Sequence, residues 1–277
     1  MTERQQTLRD VVEFSGVGLH TGAAARVRIH PAPPNSGLVF RLGDNGPLVP
    51  ALAEHVVDTR RATVIGAEGR TLSTVEHLLS ALFALGVDNA LIEAEGPEVP
   101  VLDGSAAPFA AVLTTAIVAQ PAERRCFVLE RAAVFCDGDA RLIAFPADAF
   151  RLTICVDFAP PVGSQFFSGE VRAESYLEEI APARTFGYLH EVEALLAAGL
   201  ARGGSLDNAL VFAPEGPLTP LRWPNEVVRH KALDLIGDLA LLGARPQAEF
   251  VAIKSGHRLH AAATRALRAA QPLTALR

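Results

Sequence analysis

The run VRHKALDLIGDLALLG at residues 228–243 constrains this chain more than any other segment. Its apolar residues Val228, Ala232, Leu235, Ile236, Leu239 and Ala240 recur at helical spacing. It follows Trp223-Pro224-Asn225 and stops at Gly243, which predicts a helix over 225–242 with both a start and a stop signal. Two ionisable residues, His230 and Asp234, interrupt the apolar pattern. Residues four apart on a helix share a face within ~6 Å of each other, so an imidazole and a carboxylate placed this way can hold one divalent cation together. Asp238 continues the row by another turn. A second predicted helix, over 73–85, carries the pair Glu76-His77. The two helices offer two histidines, one aspartate and a spare glutamate, a set suited to a catalytic zinc with an open position.

Simpler explanations exist for each residue. A His and an Asp four apart are commonly a surface hydrogen-bonded pair. Ser73-Thr74-Val75-Glu76 reads as a capping box, with Ser73 at the N-cap and Glu76 reaching back to its amide, so Glu76 alone makes no catalytic case. The surroundings favour chemistry. His77 is followed by Leu78 and Leu79, and Asp234 lies between Leu233 and Leu235. Burying a neutral polar group without a partner costs about 2–7 kcal/mol, and a charge costs more. A shared cation satisfies all three groups.

Hydrophobic residues make up 49% and charged residues 20% of the 277, enough for a sizeable core and incompatible with disorder. The length admits one large domain or two ordinary ones. A net charge of −6 argues against a nucleic-acid partner. Cys126, Cys136 and Cys155 have no metal-binding spacing, and their odd number gives no disulfide framework. The start, MTERQQTLRD, is polar and lacks the apolar stretch of a secretory signal. The longest uncharged stretch, 104–122, contains Pro108 and several polar residues and reads as a buried helix with its caps, not a membrane span. The expectation is a soluble, cytoplasmic monomer without stable membrane insertion.

Strand character appears in TLRDVVEFSG, AAARVRIHPA, GLVFRL and ATVIG, followed by the helix over 73–85, the strand DNALIEAEG and a helix over 106–118. The stretch AQPAER at 119–124 reads as a linker. Strands then recur in CFVLERAAVFC, ARLIAFPA and FRLTICVDF, with helices over 175–180 and 190–198. The strand NALVFA, the helix over 225–242, the strand AEFVAIKSG and a helix over 260–270 complete the chain. Both halves run through antiparallel strands, then a helix, a strand and a helix. This predicts an α+β fold of two similar domains, 1–121 and 122–277. His77 lies in the first, and His230 and Asp234 lie in the second.

Six segments, SGVGLHTG (15–22), STVEHLLSAL (73–82), PVLDGSAAPF (100–109), ARTFGY (183–188), HKALDLIGDL (230–239) and KSGH (254–257), together resemble the UDP-3-O-acyl-N-acetylglucosamine deacetylase family. They stand in the family's order and span nearly the whole chain. The resemblance implies two α+β domains with helices sandwiched between the sheets. It also implies zinc-dependent removal of an N-acetyl group from a UDP-linked acylated glucosamine, the committed step of lipid A synthesis, with iron(II) able to replace zinc. By the same resemblance His77, His230 and Asp234 are the metal ligands and Glu76 is the general base. His257 is the protonated partner that stabilises the transition state and protonates the amine, and Asp238 orients and charges it. Thr185 bonds the oxyanion, and Lys231 meets the phosphate or sugar. Phe186 and the insert over 186–208 line the acyl passage, although the residues alone read there as an amphipathic core helix. Lys254 and Arg258 are further candidates for the diphosphate, and His20 for the vicinity of the site. Asp103-Gly104-Ser105 reads as structural, with a turn at Gly104 and a helix cap at Ser105. Where the family has Asn three residues after the KSGH histidine, this chain has His260, read as a helix-start residue. The tail after Ala270 is short, so the contacts of longer tails are not expected.

Two other functions compete. A metallopeptidase is disfavoured because no H-E-x-x-H occurs. A nucleotide-sugar binding protein without activity is disfavoured by the joint presence of Glu76, Thr185, Asp238 and His257.

Overall fold

The computed structural model describes residues 3–270 and 274–275. The first two residues of the polar start and most of the tail after Ala270 lie outside them. Six helices are described: α1 (Glu76–Ala84), α2 (Ala107–Ala116), α3 (Ala173–Glu179), α4 (Leu189–Ala197), α5 (Glu226–Ala240) and α6 (His257–Ala270). They lie among mostly antiparallel sheets.

The strand Ala24–Pro31 alternates buried and exposed residues, as a strand with one covered face must. It lies inside a sheet ordered Val12–Val17, Ala24–Pro31, Ala90–Glu95, Leu38–Leu42, Leu48–Pro50. Ala90–Glu95 runs antiparallel to Ala24–Pro31 and parallel to Leu38–Leu42. The second large sheet follows the same plan. Arg245–Ile253 runs antiparallel to Ala140–Pro146 and parallel to Phe150–Asp157. Ala133–Asp137 and Ser164–Glu170 flank it in the outer places. In each sheet a buried helix, α1 or α5, precedes the central strand, and α2 or α6 follows it. The duplication expected from the order of elements is therefore present in the strand pairing.

Both sheets turn an apolar face toward the helices. Val27, Ile29, Phe40 and Ile92 come from the first, and Leu142, Leu152, Phe250 and Ala252 from the second; all belong to one continuous core. α1 is buried along its whole length, and α5 along nearly all of it. The outer face of the first sheet is ionic instead: Arg26 and Arg28 both bond Glu95.

Three expectations need correction. The stretch 119–124 is not a linker: the strand Ile117–Glu123 covers most of it and pairs antiparallel with Arg4–Leu8. Pro121 sits where the register shifts, between the Gln6–Ala119 and Arg4–Glu123 pairs, and such a bulge tolerates a residue without an N–H. The capping box at 73–76 does not form. Val75 precedes α1, with no side-chain cap, and Glu76 bonds elsewhere. α6 starts at His257, three residues before the expected position, so His260 lies within its first turn.

Candidate metal centre and catalytic cleft

α1 and α5 cross at a point where only glycine fits. A Cβ built on Gly237 would lie 2.1 Å from the carbonyl oxygen of Glu76 and 2.7 Å from its carbonyl carbon. This close approach sets the first turn of α1 against the middle of α5. The His77 and His230 rings stand perpendicular, with centroids 5.0 Å apart. Asp234 Oδ1 is 3.4 Å from His230 Nε2 and 3.8 Å from His77 Nε2. One donor atom from each of the three residues lies within 4.8 Å of the others, and all three residues are buried.

The protonation states suit a cation. Burial, reinforced by His230, pushes the His77 imidazolium down to about 3. Burial also lowers His230, against the pull of Asp234. Both rings are therefore neutral near pH 7, with a lone pair to give. His230 Nδ1 lies 3.0 Å from the carbonyl oxygen of Ala183, which can only accept, so the proton sits on Nδ1 and Nε2 is free to coordinate. Burial works against a charge on Asp234, yet Lys231 and then the neighbouring histidines outweigh it and hold the carboxylate far below its ordinary range. Lys231 Nζ donates to Asp234 Oδ2 at 2.6 Å.

A second cluster adjoins the first. His257 Nε2 lies 3.8 Å from Glu76 Oε1 and 4.0 Å from Asp234 Oδ2. Burial opposes its charge, but Asp238, by proximity and hydrogen bond, and then Glu76 and Asp234 raise it to about 9. Burial, reinforced by Asp234 and Asp238 against His257, raises Glu76 to about 8. Asp238 resists burial through His257 and His260 and is held down to about 2. Thr63 joins the two acids: its backbone N–H donates to Glu76 Oε2 at 3.1 Å and its hydroxyl to Asp238 Oδ1 at 2.5 Å.

A cleft of about 700 Å³ is lined by Glu76, His77, Thr185, His230, Asp234 and His257. Its lining also includes the apolar residues Leu189, Val192, Leu195 and Leu196 of α4. α4 is therefore no core helix: Leu196 is 50% exposed. Sequence reasoning missed Thr63 and also Glu98. The buried Glu98 carboxylate accepts from the His20 and Thr21 amides and from the Thr74 hydroxyl. It thereby holds Thr74 at φ 58°, a costly conformation for a β-branched residue, at the cleft edge just before Glu76.

Residues 5–269 match the family described as LpxC, UDP-3-O-acyl N-acetylglycosamine deacetylase. The chain belongs to this deacetylase family. A deacetylase of that name from Syntrophotalea carbinolica is 46% identical over 262 residues, covering 92% of this chain and 85% of the relative. One from Myxococcus xanthus is also 46% identical over 262 residues, covering 92% and 83%. One from Phenylobacterium zucineum is 45% identical over 276 residues, covering 97% and 94%.

The other positions expected from the deacetylase family divide into two groups. Thr185, Phe186, Lys231 and His20 line the cleft. Phe186 sets its ring edge-on to His230, with centroids 6.2 Å apart. Lys254 and Arg258 do not line it. Lys254 Nζ pairs with Asp157 at 2.8 Å, and Arg258 pairs with Asp137. Asp137 ends the outer strand Ala133–Asp137, and Asp157 ends Phe150–Asp157 on the other side of the central strand; each draws its cation away from the cleft. Ala106, not Ser105, holds the N-cap of α2, but Ser105 Oγ accepts from the Ala107 N–H and donates to Asp103, and Gly104 turns at φ 82° against the carbonyl of Asn208. Among the described residues no helix is long and apolar enough to cross a membrane.

Proposed function

We propose that this chain is a metal-dependent amidase that removes the N-acetyl group of a UDP-3-O-acyl-N-acetylglucosamine, releasing acetate at the committed step of lipid A synthesis. The observation that carries this reading is the convergence of His77, His230 and Asp234 beside Glu76 and His257, in a cleft that apolar residues of α4 also line. Two neutral imidazoles and an ionised carboxylate are the donor set of a catalytic zinc, and we take zinc to be the ion; iron(II) suits the same donors. When bound, the ion lowers the pKa of water from ~15.7 to ~7 and polarises the acetyl carbonyl.

The protein groups perform the remaining steps. With the charge of a bound cation beside it opposing the burial that raises its pKa, Glu76 would be ionised and take the proton of the attacking water as the carbon–oxygen bond forms. The Thr185 hydroxyl donates to the developing oxyanion, a contribution of roughly 3–4 kcal/mol for a well-placed donor. His257, kept protonated by Asp238, gives its proton to the nitrogen as the carbon–nitrogen bond breaks. The amine then leaves neutral, and acetate remains. Lys231 faces the sugar and its phosphates, and the wall made by α4 with Phe186 takes the 3-O-acyl chain. The division at residue 121 then separates the supplier of Glu76 and His77 from the supplier of the other groups.

Acetate release from the UDP-linked substrate, followed with and without a chelator and beside Glu76→Ala, tests the proposal. Turnover that survives both treatments overturns it.

A further inference from the structure

We propose that His260 is a positioning residue that acts through Asp238 to fix the ring of His257. The proposal deepens the deacetylase reading and rests on it.

Asp238 Oδ2 has two imidazole partners at the same distance: His257 Nδ1 and His260 Nδ1 each lie 2.8 Å away. Oδ1 receives the Thr63 hydroxyl. The carboxylate is thus gripped from three directions and cannot turn without giving up a charge-assisted bond. His260 Nε2 lies 2.8 Å from Ser255 Oγ. Because Asp238 is ionised, His260 Nδ1 must be its donor. Burial, the largest influence on His260, disfavours a charged ring, so Nε2 keeps a lone pair and accepts from the Ser255 hydroxyl. A single neutral tautomer satisfies both neighbours. His260 is 1% exposed and is absent from the cleft lining, so it does not touch substrate. Both of its nitrogens are occupied.

The result is a chain of donations, Ser255 to His260 to Asp238, meeting that of His257 to the same oxygen. α6 sets the spacing: His257 opens the helix and His260 follows three residues later on the same face. An apolar side chain at 260 fills the space but leaves Ser255 unpaired and takes from Asp238 one of its three donors. Held by two bonds instead of three, the carboxylate can turn and carry the His257 ring with it, away from Glu76 and Asp234.

The test compares His260→Leu and His260→Asn in the zinc-loaded enzyme. An asparagine amide reaches about as far as Nδ1 and keeps the donation; leucine does not. The expected result is a kcat within about threefold of the parent for His260→Asn. His260→Leu should lose on the order of tenfold to a hundredfold in kcat, as displaced supporting groups do, with KM and zinc content unchanged. Equal losses in the two variants, a loss confined to KM, or a kcat for His260→Leu within twofold of the parent each overturn the proposal. Ser255→Ala covers the case in which His260→Leu does not fold: a smaller kcat loss at unchanged KM supports the proposal, and no loss overturns it. A readout independent of turnover separates this proposal from the deacetylase reading. The downfield imidazole N–H resonance of His257, assigned with His257→Gln, should persist in His260→Asn and disappear in His260→Leu. If the parent releases no acetate but this pattern holds, the functional reading fails and the positioning role stands.

Discussion

Gly237 on α5 lies directly against the carbonyl of Glu76 on α1, and this contact places His77 beside the other two candidate ligands. Rigid backbone, not a flexible side-chain tip, fills the space a Cβ would need. Gly237→Ala must therefore push the helices apart. Overpacking of this kind costs about 1–3 kcal/mol, and the loss should sit at the upper end. Denaturant unfolding should record that loss, and metal analysis should find less than one ion per chain. A variant with full metal content and parent stability would contradict the close-packing argument.

Thr63 links the proposed base to the carboxylate behind the proposed acid. Thr63→Val keeps the shape and the backbone N–H that Glu76 accepts, and deletes only the hydroxyl bonded to Asp238. A hydrogen bond to a charged group contributes about 1.5–3 kcal/mol, and that amount should be lost from stability. The kcat should fall while KM holds, and Thr63→Ser should recover most of both.

The pH profile provides a signed prediction. Burial alone lowers the pKa of a histidine, yet Asp238 leads the neighbours that raise His257 to about 9. The acidic form persists below that value, so activity should decline as pH rises through about 9. In Asp238→Asn the main raising charge is gone and burial remains. The basic limb should move down by roughly one to three pH units, as read from kcat against pH. A limb that stays in place assigns it to another group.

Glu226 anchors the segment before Thr185. Its carboxylate is fully buried and accepts from the Arg184 backbone and guanidinium and from the Arg222 amide. Glu226→Ala leaves Arg184 buried without its partner, a change that costs about 3–5 kcal/mol. The Ala183 carbonyl that orients His230 adjoins this bond. Metal affinity should fall along with stability in the same variant, measured by competition with a chromogenic chelator.

The residues that could be read from the sequence were those with a regular spacing. His230 and Asp234 share a helix face by arithmetic, and their apolar neighbours mark them as buried. The repeated order of strands and helices likewise announced the duplicated pairing. Thr63 carries no such mark: it is a threonine just before the short strand Val64–Ala67, and the Asp238 that its hydroxyl meets lies far along the chain. Glu76 showed the opposite difficulty. It fits a local capping pattern, but the close crossing at Gly237 and the Thr63 amide hold its carboxylate in the site instead. His260 looked like a helix start because nothing local records that Asp238 has a lobe to spare. Lys254 and Arg258 pair with acids at the ends of two strands far from them in sequence, a proximity that the linear order does not display.

The strand plan repeats in two layers, and the candidate ligands are divided between them. A cation seated there acts as a removable staple: whichever half begins to loosen must first release its share of the grip. Saturation at a hundred times the dissociation constant adds about 2.7 kcal/mol to resistance against unfolding. That increment belongs to the whole chain, so local breathing in one lobe is damped by the integrity of the other.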